Sequence, residues 1–331
     1  MTIVDAPPPA GTSPARETTG VEPAFELDPE PVPFELPARV TVVEVGPRDG
    51  LQNESALVPT DAKIAFIQAL AAAGLPVVEV TSFVSPAAVP QLADADAVSR
   101  GLTRRPGVRY PVLVPNMRGM ERAEQAGAGA VAVFTAASDA FAERNIGMTI
   151  AESLTEFGPV LERARDLGWW RRGYVSTAFG CPYSGDVEES RVAEVSAALI
   201  DLGCEEVSVG DTIGVAHAAD VRRVGDAVLT RVPVDRVALH LHDTQGRALE
   251  NVEAGLALGV STFDSSAGGT GGCPFAPGAP GNLATESLCL LLDRLEIEHG
   301  VDREAVVRAA TEVRRRLTPD GTDQKAGTAG S

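Results

Sequence analysis

Eight short runs rich in β-branched residues, most of them followed by an amphipathic helical pattern, predict a TIM (β/α)8 barrel, an α/β fold of typically about 250 residues. Polar residues gather at the C-terminal ends of these runs, where a barrel of this kind carries its chemistry. The rival arrangement, a doubly wound open sheet, would show a glycine fingerprint after its first strand, and none is present.

"VTVVEV" (40–45) reads as the first strand and runs into Arg48 and Asp49. In the following "TDAKIAFIQALAAAGL", Ile64, Ile67, Leu70 and Ala71 share one helical face, and Thr60 or Asp61 is placed to cap its start. "PVVEVTS" (76–82) carries Glu79, and "VRYPVLV" (108–114) leads to Asn116. "AVAVF" (130–134) and "GYVSTA" (173–178) follow, then "EEVSVG" (205–210), which ends at Asp211. "RVALHLH" (236–242) finishes in two of the chain's four histidines, His240 and His242. The eighth run, "VSTFDSS" (260–266), precedes "GGCPFAPGAPGN" (271–282), a loop with four glycines, three prolines, Cys273 and Asn282.

Composition excludes several classes. With a net charge of −18 the chain lacks the basic face of a nucleic-acid binder. No apolar run approaches the roughly 18 residues that span a bilayer. Four cysteines without a CxxC pair make neither a disulfide framework nor a structural zinc site. Residues 1–38 hold nine prolines and seven acidic residues against one arginine, so they are expected to be a disordered tail rather than a transit or signal peptide. Residues 317–331 are expected to be a second such tail, leaving 39–316 as the barrel domain of a cytoplasmic protein.

Side chains alternate along a strand. Ala238, His240 and His242 therefore share one face, and Leu239 and Leu241 the other. The leucines suit the helix layer, which turns both imidazoles toward the barrel axis. Two histidines on one face serve either as metal ligands or as a hydrogen-bonded strand end, and the carboxylates arriving at the same rim favour metal. Glu79 is also turned inward by Val78 and Val80. A buried carboxylate needs a partner, either a metal or an arginine such as Arg48. Asp49, the two imidazoles and an amide oxygen of Asn282 form a mixed O/N set without thiolate, suited to Mg²⁺ or Mn²⁺, with zinc left open. The only lysines, Lys63 and Lys325, lie away from strand ends, so Schiff-base chemistry is not available.

Six segments together resemble the 3-hydroxy-3-methylglutaryl-CoA lyases of the DRE-TIM metallolyase superfamily. They are "VGPRDGLQNE" (45–54), "VEVTSFVSP" (78–86), "RGYVSTAFGCPYSG" (172–185), "GDTIGVA" (210–216), "HLHDT" (240–244) and "GGCPFAPGAPGNLATE" (271–286). The resemblance spans about residues 39–316 and implies metal-dependent cleavage to acetyl-CoA and acetoacetate, as in leucine degradation and ketone body metabolism. It implies that Asp49, His240, His242 and Asn282 hold a divalent metal. Arg48 neutralises the forming enolate oxygen, Glu79 orients that centre, and Asp211, His240 and Cys273 complete the catalytic set. Gln52, Ser82, Asn145 and Tyr174 match positions near the substrate, and Glu286 a supporting position. The expected partners are an acyl-CoA substrate and a second copy of the chain in a homodimer, with neither nucleic acid nor membrane.

Ser55 and Gln245 stand where many relatives carry lysine and tyrosine, and both positions bear on the acyl or CoA portion. Two other enzyme readings therefore stay open: a lyase for another branched 3-hydroxyacyl-CoA, and a Claisen-type synthase. A non-catalytic metal-binding protein would not need Arg48 beside Asp49. The glycine loop suits a lid, with glycines for motion, prolines to limit it and Asn282 to moor it, and closure would exclude water. A plain surface connection is the simpler alternative.

Overall fold

A computed structural model describes residues 36–54, 56–271 and 281–317 of the 331-residue chain. The expected tails therefore lie almost wholly outside the described residues, as do Ser55, Cys273 and most of the glycine loop. Nine strands form one parallel sheet: β1 (Thr41–Glu44), β2 (Val77–Val78), β3 (Thr81–Ser82), β4 (Val112–Leu113), β5 (Ala130–Ala136), β6 (Trp170–Ser176), β7 (Glu206–Asp211), β8 (Val237–Leu241) and β9 (Thr262–Ser265). The helices are α1 (Thr60–Ala72), α2 (Ala95–Gly101), α3 (Met117–Gln125), α4 (Asp139–Ile146), α5 (Ile150–Asp166), α6 (Glu189–Asp201), α7 (Ala218–Leu229), α8 (Ala248–Ala257), α9 (Thr285–Arg294) and α10 (Arg303–Leu317). Among the described residues no helix is long and apolar enough to cross a membrane.

The strand order is β2-β1-β9-β8-β7-β6-β5-β4-β3, and its two ends belong to one stretch of chain. Residues 77–82 pair with β1 on one side (Glu44↔Val78) and β4 on the other (Thr81↔Val112), so the sheet closes on itself. The nine strands are the eight expected runs, one of them split. Between the pairings Val77↔Arg109 and Thr81↔Val112 the register slips by one residue, opposite Pro111, which has no N–H to give the ladder. This bulge breaks the simple alternation. Val78 and Val80 pack outward on the helices, Glu79 points inward, and Ser82 also reaches the inner cavity while Phe83 packs outward.

Outward-facing Val42, Val131, Val133, Val175, Val207, Val209, Leu239 and Phe263 bury the sheet against the helix layer in one continuous core. At roughly 1.5–3 kcal/mol per fully buried side chain, this layer drives closure of the barrel. Inside, Val43, Val45 and Val77 pack with Trp170, and Leu113, Ala132 and Phe134 pack with Tyr174. Between these apolar patches the interior is charged. The capping expected of Thr60 or Asp61 is not what forms: Pro59 occupies the cap of α1, and the Thr60 hydroxyl bonds Asp94 at 2.7 Å. Asn116, at the end of β4, caps α3 by accepting from the Gly119 amide.

Glu44 faces outward from β1 and is fully buried. It accepts from the amides of Gly46 (2.8 Å) and Ala267 (2.9 Å) and from the Thr285 hydroxyl (2.7 Å), joining the end of β1 to the turn after β9 and the start of α9. A side chain at Gly46 would meet the Glu44 carboxylate at 2.6 Å, so glycine permits this approach. Burial pushes the Glu44 carboxyl up to about 7, against the pull of its three donors. Its folded value thus exceeds the unfolded one, and its stabilisation is present below pH 4.5 and lost as pH rises through about 7. Glu44→Gln mimics the protonated form. Its melting temperature, measured against wild type, should therefore gain several degrees between pH 4.5 and 8, a differential of about 3 kcal/mol. A pH-independent difference would show that Glu44 ionises without penalty.

Candidate active site

Immediately after β1 the chain makes one π-helical turn, Gly46–Gly50, in which the amides of Arg48, Asp49 and Gly50 all turn back to the Val45 carbonyl. Such turns are rare and recur at functional sites. This one delivers two adjacent, oppositely charged side chains to the top of the barrel. Arg48 Nη1 donates to Asp49 Oδ1 at 2.6 Å, and its Nε donates to Glu79 Oε2 at 2.8 Å. The Tyr174 hydroxyl donates to the same Glu79 oxygen at 3.1 Å, and the guanidinium lies 5.4 Å from the Tyr174 ring centroid. Arg48 is thereby fixed in place, 6 % exposed, with its charge balanced on both sides.

Burial alone would raise the Asp49 carboxyl, but Arg48, His240 and the Asn282 amide outweigh it and hold the group at about 2. Burial pushes the Glu79 carboxyl up against the pull of Arg48, and holds the Tyr174 phenol protonated. His240 and His242 face the axis as alternation requires, with their Nε2 atoms 3.2 Å apart. Burial would lower His240, but Asp264 outweighs it and raises it. Burial and His240 together press His242 down to about 3, so it is neutral. Asp49, His240 and His242 each offer one ligand atom, and these atoms lie within 4.8 Å of one another. Asn282, bridged to His242 by backbone pairing, donates its amide nitrogen to Asp49 Oδ2 (2.9 Å) and to the Thr270 carbonyl (3.1 Å). Gly271, at φ +92°, lets the end of the loop reach this point, since a side chain there would meet Gly50 Cα at 2.9 Å.

Arg48, Asp49, His240 and His242 line a cavity of about 630 Å³. Gln52, Ser82, Asn145 and Tyr174 are on its wall, and Gln52 Nε2 approaches Asp49 Oδ1 at 3.4 Å. Two expected members are elsewhere. Asp211 continues the alternation of Val207 and Val209, which face the helices, and both its oxygens hold the loop behind it through the Val215 and Ala216 amides (3.0 Å each). Asp211, expected in the catalytic set, is not brought to the cavity wall. Glu286 accepts from the Gly268 amide at 2.9 Å and supports the turn after β9 without lining the cavity. Cys273 lies outside the described residues.

Sequence reasoning missed a second tier below the site. Arg172, with no solvent exposure, donates to Asp264 Oδ1 (2.6 Å) and to the Tyr174 hydroxyl (2.9 Å). Its Nε sits 2.7 Å from Glu206 Oε1 but is poorly aligned, an ion pair rather than a hydrogen bond. The signal was available: Asp264 interrupts "VSTFDSS" as Glu79 interrupts "PVVEVTS", and Arg172 alternates with Tyr174.

The HMGL-like family model matches residues 39–313. A curated relative from Rattus norvegicus, named hydroxymethylglutaryl-CoA lyase, mitochondrial, is 52% identical over 274 residues, which is 83% of this chain and 84% of the relative. A second, from Pseudomonas aeruginosa, is named 3-hydroxy-3-isohexenylglutaryl-CoA/hydroxy-methylglutaryl-CoA lyase. It is 51% identical over 278 residues, 84% of this chain and 93% of the relative. The crystal structure of hydroxymethylglutaryl-CoA lyase from Pseudomonas aeruginosa aligns with a TM-score of 0.84 at 49% identity, covering 87% of this chain and 96% of that one.

Proposed function

The chain belongs to the HMGL-like family, and from that membership we propose that it is a divalent-metal-dependent carbon–carbon lyase cleaving 3-hydroxy-3-methylglutaryl-CoA to acetyl-CoA and acetoacetate. The observation that carries this reading is the pairing of Arg48 and Asp49 on one rigid turn, beside two imidazoles in one cavity.

The residues fit a divalent cation. The two Nε2 atoms converge at 3.2 Å, a contact better served by a shared ion than by each other. Two buried guanidiniums, Arg48 and Arg172, face four acidic side chains, Asp49, Glu79, Glu206 and Asp264, and Asp49, held at about 2, is the ionised one beside the imidazoles. Asp49, His240 and His242 would hold Mg²⁺ or Mn²⁺, and Asn282, which here turns its amide nitrogen to Asp49, would turn its oxygen to the ion to join them. When bound, the ion lowers the pKa of the substrate 3-hydroxyl and orients its carboxylate.

The reaction breaks the C2–C3 bond. The 3-hydroxyl loses its proton, the bond's electron pair passes to the thioester as an enolate, and C2 is then protonated. Arg48 stabilises the enolate oxygen, with Glu79 and Tyr174 holding the guanidinium in place. Gln52, Ser82 and Asn145 bind along the acyl and thioester arm. His240 would hold the ion beside the departing hydroxyl proton, which passes to cavity water, and Cys273 is assigned to the returning proton or to gating.

A second reading, a lyase for longer 3-alkyl analogues, is favoured by one observation. The cavity lining includes five apolar side chains, Phe134, Phe141, Ile146, Met148 and Phe157. Assay of the purified protein against a panel of branched 3-hydroxyacyl-CoAs decides between the two. In the same assay EDTA should abolish turnover and added Mg²⁺ or Mn²⁺ restore it. Full activity in the chelated protein would remove the metal from the mechanism.

A further inference from the structure

Asp264 lies at the centre of the second tier and touches no cavity surface. Its Oδ1 accepts from Arg172 at 2.6 Å, and its Oδ2 accepts from the Ser208 hydroxyl at 2.9 Å. The same Oδ2 is 3.2 Å from His240 Nδ1. Both oxygens of this buried group thus face donors. A carboxylate can only accept, so His240 Nδ1 must carry the hydrogen. A histidine protonated on Nδ1 and neutral overall presents a lone pair on Nε2, and Nε2 is the atom turned toward His242 and Asp49.

We propose that Asp264, braced by Arg172 and Ser208, is the positioning residue that fixes the His240 ring and its Nδ1–H tautomer so that Nε2 is presented to the metal. Arg172 is itself pinned by the Tyr174 hydroxyl and by Glu206, so the carboxylate cannot swing away from the imidazole without breaking a buried ion pair. Tyr174 also bonds Glu79, the partner of Arg48. One buried guanidinium thereby holds both halves of the site: the imidazole through Asp264, and the Arg48 pair through Tyr174. His242 has no such brace; its Nδ1 is buried without a partner. The two imidazoles are therefore unequal, and His240 is the one whose orientation is set in advance.

The proposal rests on the metal site, and the test separates the two. Full-length wild type, Asp264→Asn and Ser208→Ala are titrated with Mn²⁺, with free ion followed by electron paramagnetic resonance. The His240 ring N–H is followed by ¹H–¹⁵N correlation in the Mg²⁺-loaded proteins. Asp264→Asn should raise the Mn²⁺ Kd about 10- to 100-fold, and its His240 N–H should lose the downfield, exchange-protected resonance of wild type. Ser208→Ala removes one donor and leaves the ion pair, so it reports even if Asp264→Asn fails to fold; its Kd should rise about fivefold. Wild-type Kd and an unchanged N–H resonance in the folded variants would overturn the proposal. So would an unchanged Kd with a collapsed kcat, which would make Asp264 part of proton transfer instead. Absence of Mn²⁺ binding by wild type would remove the metal site and this proposal together.

Discussion

Replacing Arg48 with glutamine should lower kcat by about 10²- to 10³-fold while KM moves far less, as expected for loss of a donor that acts on charge developing in the transition state. The guanidinium enters the cavity already fixed by Glu79 and Asp49, so it needs no reorganisation when the enolate forms. The same variant leaves Glu79 buried without its counter-ion, at a cost of about 3–5 kcal/mol. Stability and catalysis must therefore be read separately, with kcat referred to the folded fraction. Arg48→Lys keeps the charge but cannot span Glu79 and Asp49 with separate nitrogens, so it should fall between the two. A folded Arg48→Gln enzyme with wild-type kcat would reduce Arg48 to a structural ion-pair partner.

What could be read before the structure followed the period of the strand. His240, His242 and Glu79 lie in runs flanked by apolar neighbours, and alternation alone turned them inward. The same rule, applied to Val207 and Val209, turns Asp211 outward although it stands at the end of its strand. Ser82 could not be placed this way, because the bulge opposite Pro111 shifts the parity between Glu79 and Ser82. Glu44 and Asp264 were as legible as Glu79, since each is an acid inside a hydrophobic strand. Their partners were not. The Ala267 amide and Thr285 hydroxyl reach Glu44, and the Arg172 guanidinium reaches Asp264, only through closure of the barrel, and pairs 92 or more residues apart leave no local pattern.

His242→Ala should separate function from fold most sharply. In the metal-free protein this imidazole contributes little to stability: it is neutral, its Nδ1 is buried without a partner, and its Nε2 meets only another imidazole nitrogen. Removing a buried polar group of that kind relieves a desolvation penalty while opening a small cavity beside the existing one, so the melting temperature of the metal-free variant should stay close to that of wild type. The ion sees the opposite. With one of three clustered ligand atoms gone, Mn²⁺ should no longer be held. Saturating Mn²⁺ at about 100 times Kd stabilises a protein that binds it by about 2.7 kcal/mol, a rise of several degrees in wild type that the variant should not show. Turnover should fall by about 10³-fold, the several kcal/mol that a Lewis acid supplies to this class of reaction. A variant that melts like wild type, gains the same stabilisation from Mn²⁺ and still turns over would remove His242 from the metal site and leave the strand-parity argument describing only a polar barrel end.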